Sequence, residues 1–219
     1  CIDNNLKGRI IVSKEGINGT ISGKKNDCEN YMKKIYSDIR FKNVEFKIAK
    51  YPKNVFNKLN VRLKKEIVNS GIKNIDPNKL SGKYIEPKEF KSILKNNDDD
   101  VVILDIRSNY EYNVGKFKNA ITLDIENFRE FQAKIDELKK IKNKKIITYC
   151  TGGVKCEKAS GFLLKKGFKN VYQLHGGIIK YGIEEDGYDF EGKCYVFDNR
   201  LTVNINKSNP SVISKCYIT

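Results

Sequence analysis

The sequence predicts a two-domain α/β protein: a small α+β sandwich, then a doubly wound domain built on a parallel sheet. Three observations support this. In the first third, apolar and charged residues alternate with the period of two expected of a half-wet strand. Farther on, apolar runs at 101–105, 146–150 and 171–174 are separated by helical patterns, as in a parallel sheet covered on both faces. One of these runs ends in a cysteine, followed at once by a glycine-containing loop and a helix. Open α/β sheets carry their reactive groups at that position, beyond the carboxyl ends of the strands.

In chain order, residues 8–13 read as a strand, Glu15–Gly19 as a turn and Thr20–Gly23 as a short return strand. Asn26 or Asp27 is expected to cap a helix running to about Ser37, with Tyr31, Met32 and Ile35 inward. Val44, Phe46 and Ile48 alternate with Glu45 and Lys47, and Leu59, Val61 and Leu63 alternate with Asn60, Arg62 and Lys64. Each set predicts a strand with one wet side. These elements make a first domain over 1–70, expected to lack its opening strand and helix. Gly16 and Gly19 mark a close backbone approach, by RNA or by another loop. Arg62, Lys64 and Lys65 on the wet side either contact a phosphate backbone or keep a sheet edge from aggregating.

Residues 71–86, with Pro77 and glycines among polar residues, read as a linker. A helix is expected from Pro87 to Leu94, with the proline in its first turn. Val101–Asp105 is a central strand and Ala120–Leu123 a short one. Residues 126–140 place Phe128, Phe131, Ile135 and Leu138 at helical spacing, a core-facing stripe. Ile146–Cys150 and Val171–Leu174 complete the parallel set. The second domain is thus expected over 87–190, with a truncated tail over 191–219.

The totals constrain the partners. Of 219 residues, 42 are Lys or Arg and 27 Asp or Glu, a formal net charge of +15 that favours a polyanion such as nucleic acid. Nearly all the excess is lysine, in a chain also rich in asparagine and isoleucine, a bias that coding composition produces without any ligand. Six cysteines at irregular spacing suggest reduced thiols and a cytoplasmic setting. No apolar run approaches membrane-spanning length, so no membrane partner is expected.

The chemistry centres on Cys150. A buried strand aims it at the loop Thr151, Gly152, Gly153, Val154 and Lys155, whose backbone N–H groups can wrap whatever the sulfur carries. A helix starting near Cys156 adds a positive dipole end that favours thiolate. A structural thiol in a strand-to-helix turn is the plainer alternative. A cysteine phosphatase needs an arginine six positions after its nucleophile, and Cys156 stands there. With His175 the only histidine, the ligand set of a non-haem iron oxygenase is missing, and no dinucleotide fingerprint is present. No cofactor is evident. Persulfide-based sulfur transfer fits the loop, with Lys155 as the cation. Cys156 either resolves an oxidised or persulfidated Cys150 or is a small packed residue. Asp105, Arg107 and Glu111 read as a supporting salt-bridge network, and His175 as a turn-stabilising side chain.

Residues 105–112 (DIRSNYEY), with Gly115 and Asn119–Ile121, resemble a rhodanese domain, and Cys150 falls where that family carries its persulfide-forming cysteine. With EGINGT at 15–20, YCTGGVKCEKAS at 149–160, HGGIIKY at 175–181 and YVFDNRL at 195–201, the chain resembles the tRNA uridine hydroxylase family over nearly its whole length. The resemblance implies a ferredoxin-like first domain and a rhodanese second domain. It also implies hydroxylation of the wobble uridine of tRNA to 5-hydroxyuridine, a required Cys150, and molecular oxygen as co-substrate with no electron donor indicated. Two departures stand out: Lys116 where rhodaneses usually carry histidine, and Lys155 where many carry arginine. The resemblance implies a cysteine-containing tail, of which this sequence reaches Cys216 and not the family's remaining cysteines, and one cysteine cannot supply a tetrahedral zinc set.

Overall fold

The computed structural model describes residues 5–213, which divide into two compact units. Cys216 lies outside the described residues.

The first unit contains strands β1 (Lys7–Ser13) and β2 (Gly16–Ser22), helix α1 (Lys25–Tyr36) and strand β3 (Leu59–Leu63). Among the described residues its sheet is mixed, in the order β2-β1-β3, with β1 antiparallel to β2 and parallel to β3. Ile10 and Tyr31 are buried, and Val12, Ile17, Ile21 and Ile35 pack around them, so α1 covers one face.

Several sequence expectations change here. The turn is only Lys14–Glu15, because Gly16–Gly19 already pairs with β1. What approaches Gly19 closely is its partner strand: a Cβ there would lie 2.6 Å from the Arg9 carbonyl oxygen. The helix begins at Lys25 without a side-chain cap, so neither Asn26 nor Asp27 serves as one. Residues 44–48 form no strand. Their alternation expresses one anchor instead, Phe46, whose ring meets Tyr31 and Tyr36 edge-to-face at 6.1 and 5.4 Å. Val61 and Leu63 are exposed, and among the described residues β3 is an edge strand paired with β1 on one side.

In the second unit, the chain continues through β4 (Lys83–Ile85), α2 (Pro87–Asn96), β5 (Val101–Asp105), α3 (Asn109–Tyr112), β6 (Gly115–Phe117) and β7 (Ile121–Thr122). It goes on to β8 (Lys145–Tyr149), α4 (Val154–Lys165), β9 (Val171–Leu174), α5 (Gly177–Glu184), β10 (Phe190–Tyr195) and β11 (Thr202–Asn204). A five-stranded sheet in the order β4-β9-β8-β5-β7 is parallel throughout. Alternate residues feed its two faces: Val102, Leu104, Ile146 and Val171 on one, Ile147, Tyr149 and Leu174 on the other. α4 covers the first face, α2 and α5 the second. Burying each such aliphatic side chain contributes about 1.5–3 kcal/mol.

Residues 71–86 are not a free linker: Ile72, Ile75 and Ile85 are buried in the second unit, and β4 pairs with β9. The stretch 126–140 winds as successive 3-10 turns over Phe128–Ile141, capped by Asn127. Phe128, Phe131 and Leu138 are buried along it, so the stripe still faces the core although the winding is tighter than expected. The tail is also built in. β10 pairs antiparallel with β6 and with β11.

Candidate functional site

β8 is the central strand of the parallel sheet, and Cys150 follows its last residue. The chain then turns through Thr151 and Gly152 to Gly153, whose φ of 92° only glycine adopts without strain. That left-handed residue caps α4, so the helix starts at Val154. Val154 and Lys155, expected in the loop, therefore occupy the first helical turn together with Cys156. The Gly153 N–H donates to Cys150 Sγ at 3.2 Å, and the N–H groups of Lys155 and Cys156 add further hydrogen bonds.

Burial alone would raise the Cys150 pKa. The Cys156 thiol, the Lys155 charge and the two helical N–H groups outweigh it and hold the pKa below the ordinary thiol value. Cys156 moves the opposite way, well up, through its own burial and the neighbouring Cys150 sulfur. The pair thus shares one proton, held by Cys156 and donated towards the Cys150 thiolate. We expect iodoacetamide to alkylate Cys150 with a pH midpoint below the ordinary value of about 8.5. Because deprotonation creates the nucleophile, the rate rises as pH rises through that midpoint. Tryptic peptide 146–155 contains Cys150 and no other cysteine, so mass spectrometry reads its rate directly. Cys156→Ala should shift the midpoint upward; an unchanged midpoint would refute the assignment.

The other side of the loop is held by α5. Ile178 and Ile179 N–H groups donate to the carbonyls of Cys150 and Thr151 at 3.0 and 3.1 Å. This approach requires Gly177, at φ +64°: a Cβ there would lie 2.4 Å from the Cys150 carbonyl oxygen and 2.7 Å from the Gly153 nitrogen. Gly177→Ala is therefore expected to displace the loop and lower turnover by about 100-fold, the scale of an ångström-sized misplacement. Turnover within threefold of wild type would contradict this. Above the loop the surface is open, since a Cβ on Gly152 would meet nothing within 4 Å.

Sequence reasoning treated Glu111 as one member of a salt-bridge network; the structure makes it the clamp of the loop. Fully buried, its carboxylate binds the Lys155 ammonium and accepts the Thr151 hydroxyl at 3.4 Å and the Ser108 N–H at 3.1 Å. The DIRSNYEY motif contained this residue, but nothing in spacing paired it with Lys155. Beneath it, Arg107 binds Asp105 through Nε at 2.9 Å and a terminal nitrogen at 2.7 Å, with both side chains fully buried. Burial pulls the Arg107 pKa down, and the Asp105 charge more than reverses that. Tyr149 donates to Asp105 at 2.6 Å, while Arg107 donates to the carbonyl oxygens of Gly115 and Glu111 at 2.7 and 3.4 Å. Thr151 also hydrogen-bonds to the Cys194 thiol, whose pKa is pushed up to about 12, chiefly by burial. That contact from β10 was not legible in the sequence.

His175 sits beside the Gly176–Gly177 turn, with Nδ1 2.6 Å from Glu86. Arg62, Lys64 and Lys65 are exposed and belong to the first unit, whereas Cys150 belongs to the second.

Residues 1–67 match the model of the UPF0176 acylphosphatase like domain, and residues 86–184 that of the Rhodanese-like domain. The chain is 58% identical over 218 residues to the tRNA uridine(34) hydroxylase of Cytophaga hutchinsonii, covering all of this chain and 69% of that protein. It is 46% identical over 223 residues to the Bacillus licheniformis protein of that name, again covering 100% of this chain and 69% of the relative. With the Staphylococcus haemolyticus protein, identity is 48% over 219 residues, covering 98% of this chain and 68% of the relative. The paired domains, and relatives this similar along the whole chain, lead to one conclusion: this chain belongs to the tRNA uridine(34) hydroxylase family.

Proposed function

We propose that this protein hydroxylates uridine 34 of tRNA to 5-hydroxyuridine, with Cys150 as the reacting group. The observation that carries this is the low-pKa Cys150 in its N–H cradle, within a chain of this family. The thiolate adds to C6 of the uracil ring, and the electrons of the C5–C6 double bond make C5 nucleophilic. Molecular oxygen is the oxidant. One of its atoms goes to C5; the other leaves as water, with two electrons and two protons from an external reductant. Loss of the C5 proton then expels the thiolate and restores the double bond. Lys155 and the N–H cradle stabilise the thiolate that enters and leaves.

tRNA is the partner in this reading, and its setting is the cytoplasm. Arg62, Lys64 and Lys65 on the first unit supply phosphate contacts, so affinity for tRNA falls as salt rises. Among the described residues no helix is long and apolar enough to cross a membrane.

A second reading is favoured by the same cradle: three N–H groups and Lys155 would also hold a persulfide anion for sulfur transfer. Nucleoside mass spectrometry of tRNA from cells with and without the protein separates the two. Loss of 5-hydroxyuridine supports hydroxylation, loss of a thiolated nucleoside supports sulfur transfer, and no change overturns both in favour of a non-catalytic RNA-binding module. Thiosulfate:cyanide turnover by purified protein tests sulfur transfer independently.

A further inference from the structure

Arginine is scarce in this lysine-rich chain, and three arginines are locked on aspartates: Arg40, Arg107 and Arg200, at 2.6, 2.7 and 2.5 Å. Arg9 and Arg62 have no carboxylate partner among the described residues. Both lie on one face of the first unit's sheet. Cross-strand partners share a face, and the register sets Arg9 beside Thr20 and Asn60, and Ile11 beside Asn18 and Arg62. Ile10, Val12, Ile17 and Ile21 pack with Tyr31 of α1. The alternate residues, both arginines among them, therefore face away from that helix.

Lys7 of β1 is a third cation on this face, and none of the strand residues there is acidic. Lys64, one residue past β3, still donates its N–H to the Val12 carbonyl at 2.9 Å, which continues the alternation and sets it on the side of Arg62. Chain segments meet the face at two places, where Asn18 reaches the Ile67 carbonyl at 3.5 Å and Ser22 reaches Asn54 at 2.8 Å. Arg9, Thr20 and Arg62 are exposed. Strand spacings put the two arginines roughly 8 Å apart at Cα. Asn60 accepts the Arg62 Nε–H at 3.1 Å, which orients the guanidinium and leaves its two terminal nitrogens for a phosphate.

Like charges on neighbouring strands repel, so this face costs stability unless an anion uses it. Lysines on an edge strand guard against aggregation, but β1 is the central strand, and that explanation does not reach Arg9. A coding bias towards lysine does not produce arginine either. Residues 1–67 hold 16 Lys or Arg against 7 Asp or Glu, so +9 of the chain's +15 falls on less than a third of its length.

We propose that the helix-free face of this sheet is where RNA docks, with Arg9 and Arg62 gripping backbone phosphates and Lys7 and Lys64 flanking them. This deepens the reading above by saying where tRNA is held, and rests on it for RNA as the partner. The contacts are to phosphate, so they position the RNA without reading its sequence.

The test measures tRNA binding by the full chain across a series of potassium chloride concentrations. The logarithm of affinity falls with the logarithm of salt by about 0.7–0.9 for each phosphate neutralised. Arg9→Gln/Arg62→Gln should lower that slope by about 1.5 and weaken binding roughly 30-fold at 0.1 M salt. Arg9→Lys/Arg62→Lys keeps the charge and should keep the slope. Lys7→Gln/Lys64→Gln is a second pair that flattens it, and carries the test should the arginine pair fail to fold by circular dichroism. Lys33→Gln/Lys34→Gln, on α1, removes the same charge away from the face and should leave the slope unchanged. An unchanged slope in the face variants, or an equal fall in the α1 pair, overturns the proposal. If the face variants behave as expected but wild type forms no 5-hydroxyuridine with oxygen and a reductant, the hydroxylation reading fails and the docking face stands. Absence of tRNA binding by wild type overturns both.

Discussion

Cys150→Ser should abolish 5-hydroxyuridine formation, with a loss of at least about a thousandfold, on the order of what removing a nucleophile costs in other enzymes. The substitution keeps size, backbone and cradle. It removes the one property that the surroundings are arranged to enhance, because a serine hydroxyl in the same place does not ionise near neutral pH. Gly153, Lys155 and Cys156 would still present their N–H groups, but to a neutral oxygen instead of a thiolate. The fold should be nearly unaffected, since Cys150 is only one member of a large core cluster. The measurement is mass spectrometry of nucleosides from tRNA incubated with wild-type and variant protein, oxygen and a reductant. Full activity in the serine variant would sink the role given to Cys150. Retained tRNA binding with lost turnover would place the defect in chemistry.

The largest expected effect on stability comes from the pair beneath the loop. Arg107→Met leaves the Asp105 carboxylate fully buried without its bidentate partner, and breaking a buried pair in this way costs about 3–5 kcal/mol. Arg107 also donates to Gly115 and Glu111 carbonyls, so those acceptors lose their partner too. For a protein of this size the loss corresponds to a fall in Tm of roughly 10 °C. Urea unfolding followed by circular dichroism measures it. The double variant Asp105→Leu/Arg107→Met should recover part of the loss, because it removes the stranded charge along with its partner. A single variant within about 0.5 kcal/mol of wild type would show that the pair is energetically idle.

Much of the second unit was legible in the sequence, for a simple reason. Its strands are buried on both faces, so Val101–Asp105, Lys145–Tyr149 and Val171–Leu174 read as mainly apolar runs without alternation. The first unit was less legible. Val44–Ile48 alternates like a strand yet forms none, since alternation reports which side chains face a core and not whether a neighbouring backbone is there to pair with. Val61 and Leu63 mislead similarly: they sit on an edge strand and stay exposed. The fourteen residues Phe128–Ile141 were read as helical, but steps of three and four between apolar residues do not distinguish threefold from 3.6-fold winding by inspection.

The candidate site divides along the same line. By itself the sequence determined that a cysteine ends a central strand, that glycines and then a helix follow it, and that these motifs resemble one family. All of this is local, decided by neighbours within a few residues of Cys150. Only the tertiary structure decided what surrounds the sulfur. Glu111 reaches Lys155 across 44 positions, Gly177 presses against the Cys150 carbonyl from the next crossover, and Cys194 arrives from a strand near the tail to meet Thr151. Hydrogen bonds and close backbone contacts of this kind depend on distance in space, which one chain's residue pattern does not encode. The reactive sulfur and the groups that favour its thiolate were therefore visible in the sequence, and the clamp that holds their loop in place was not.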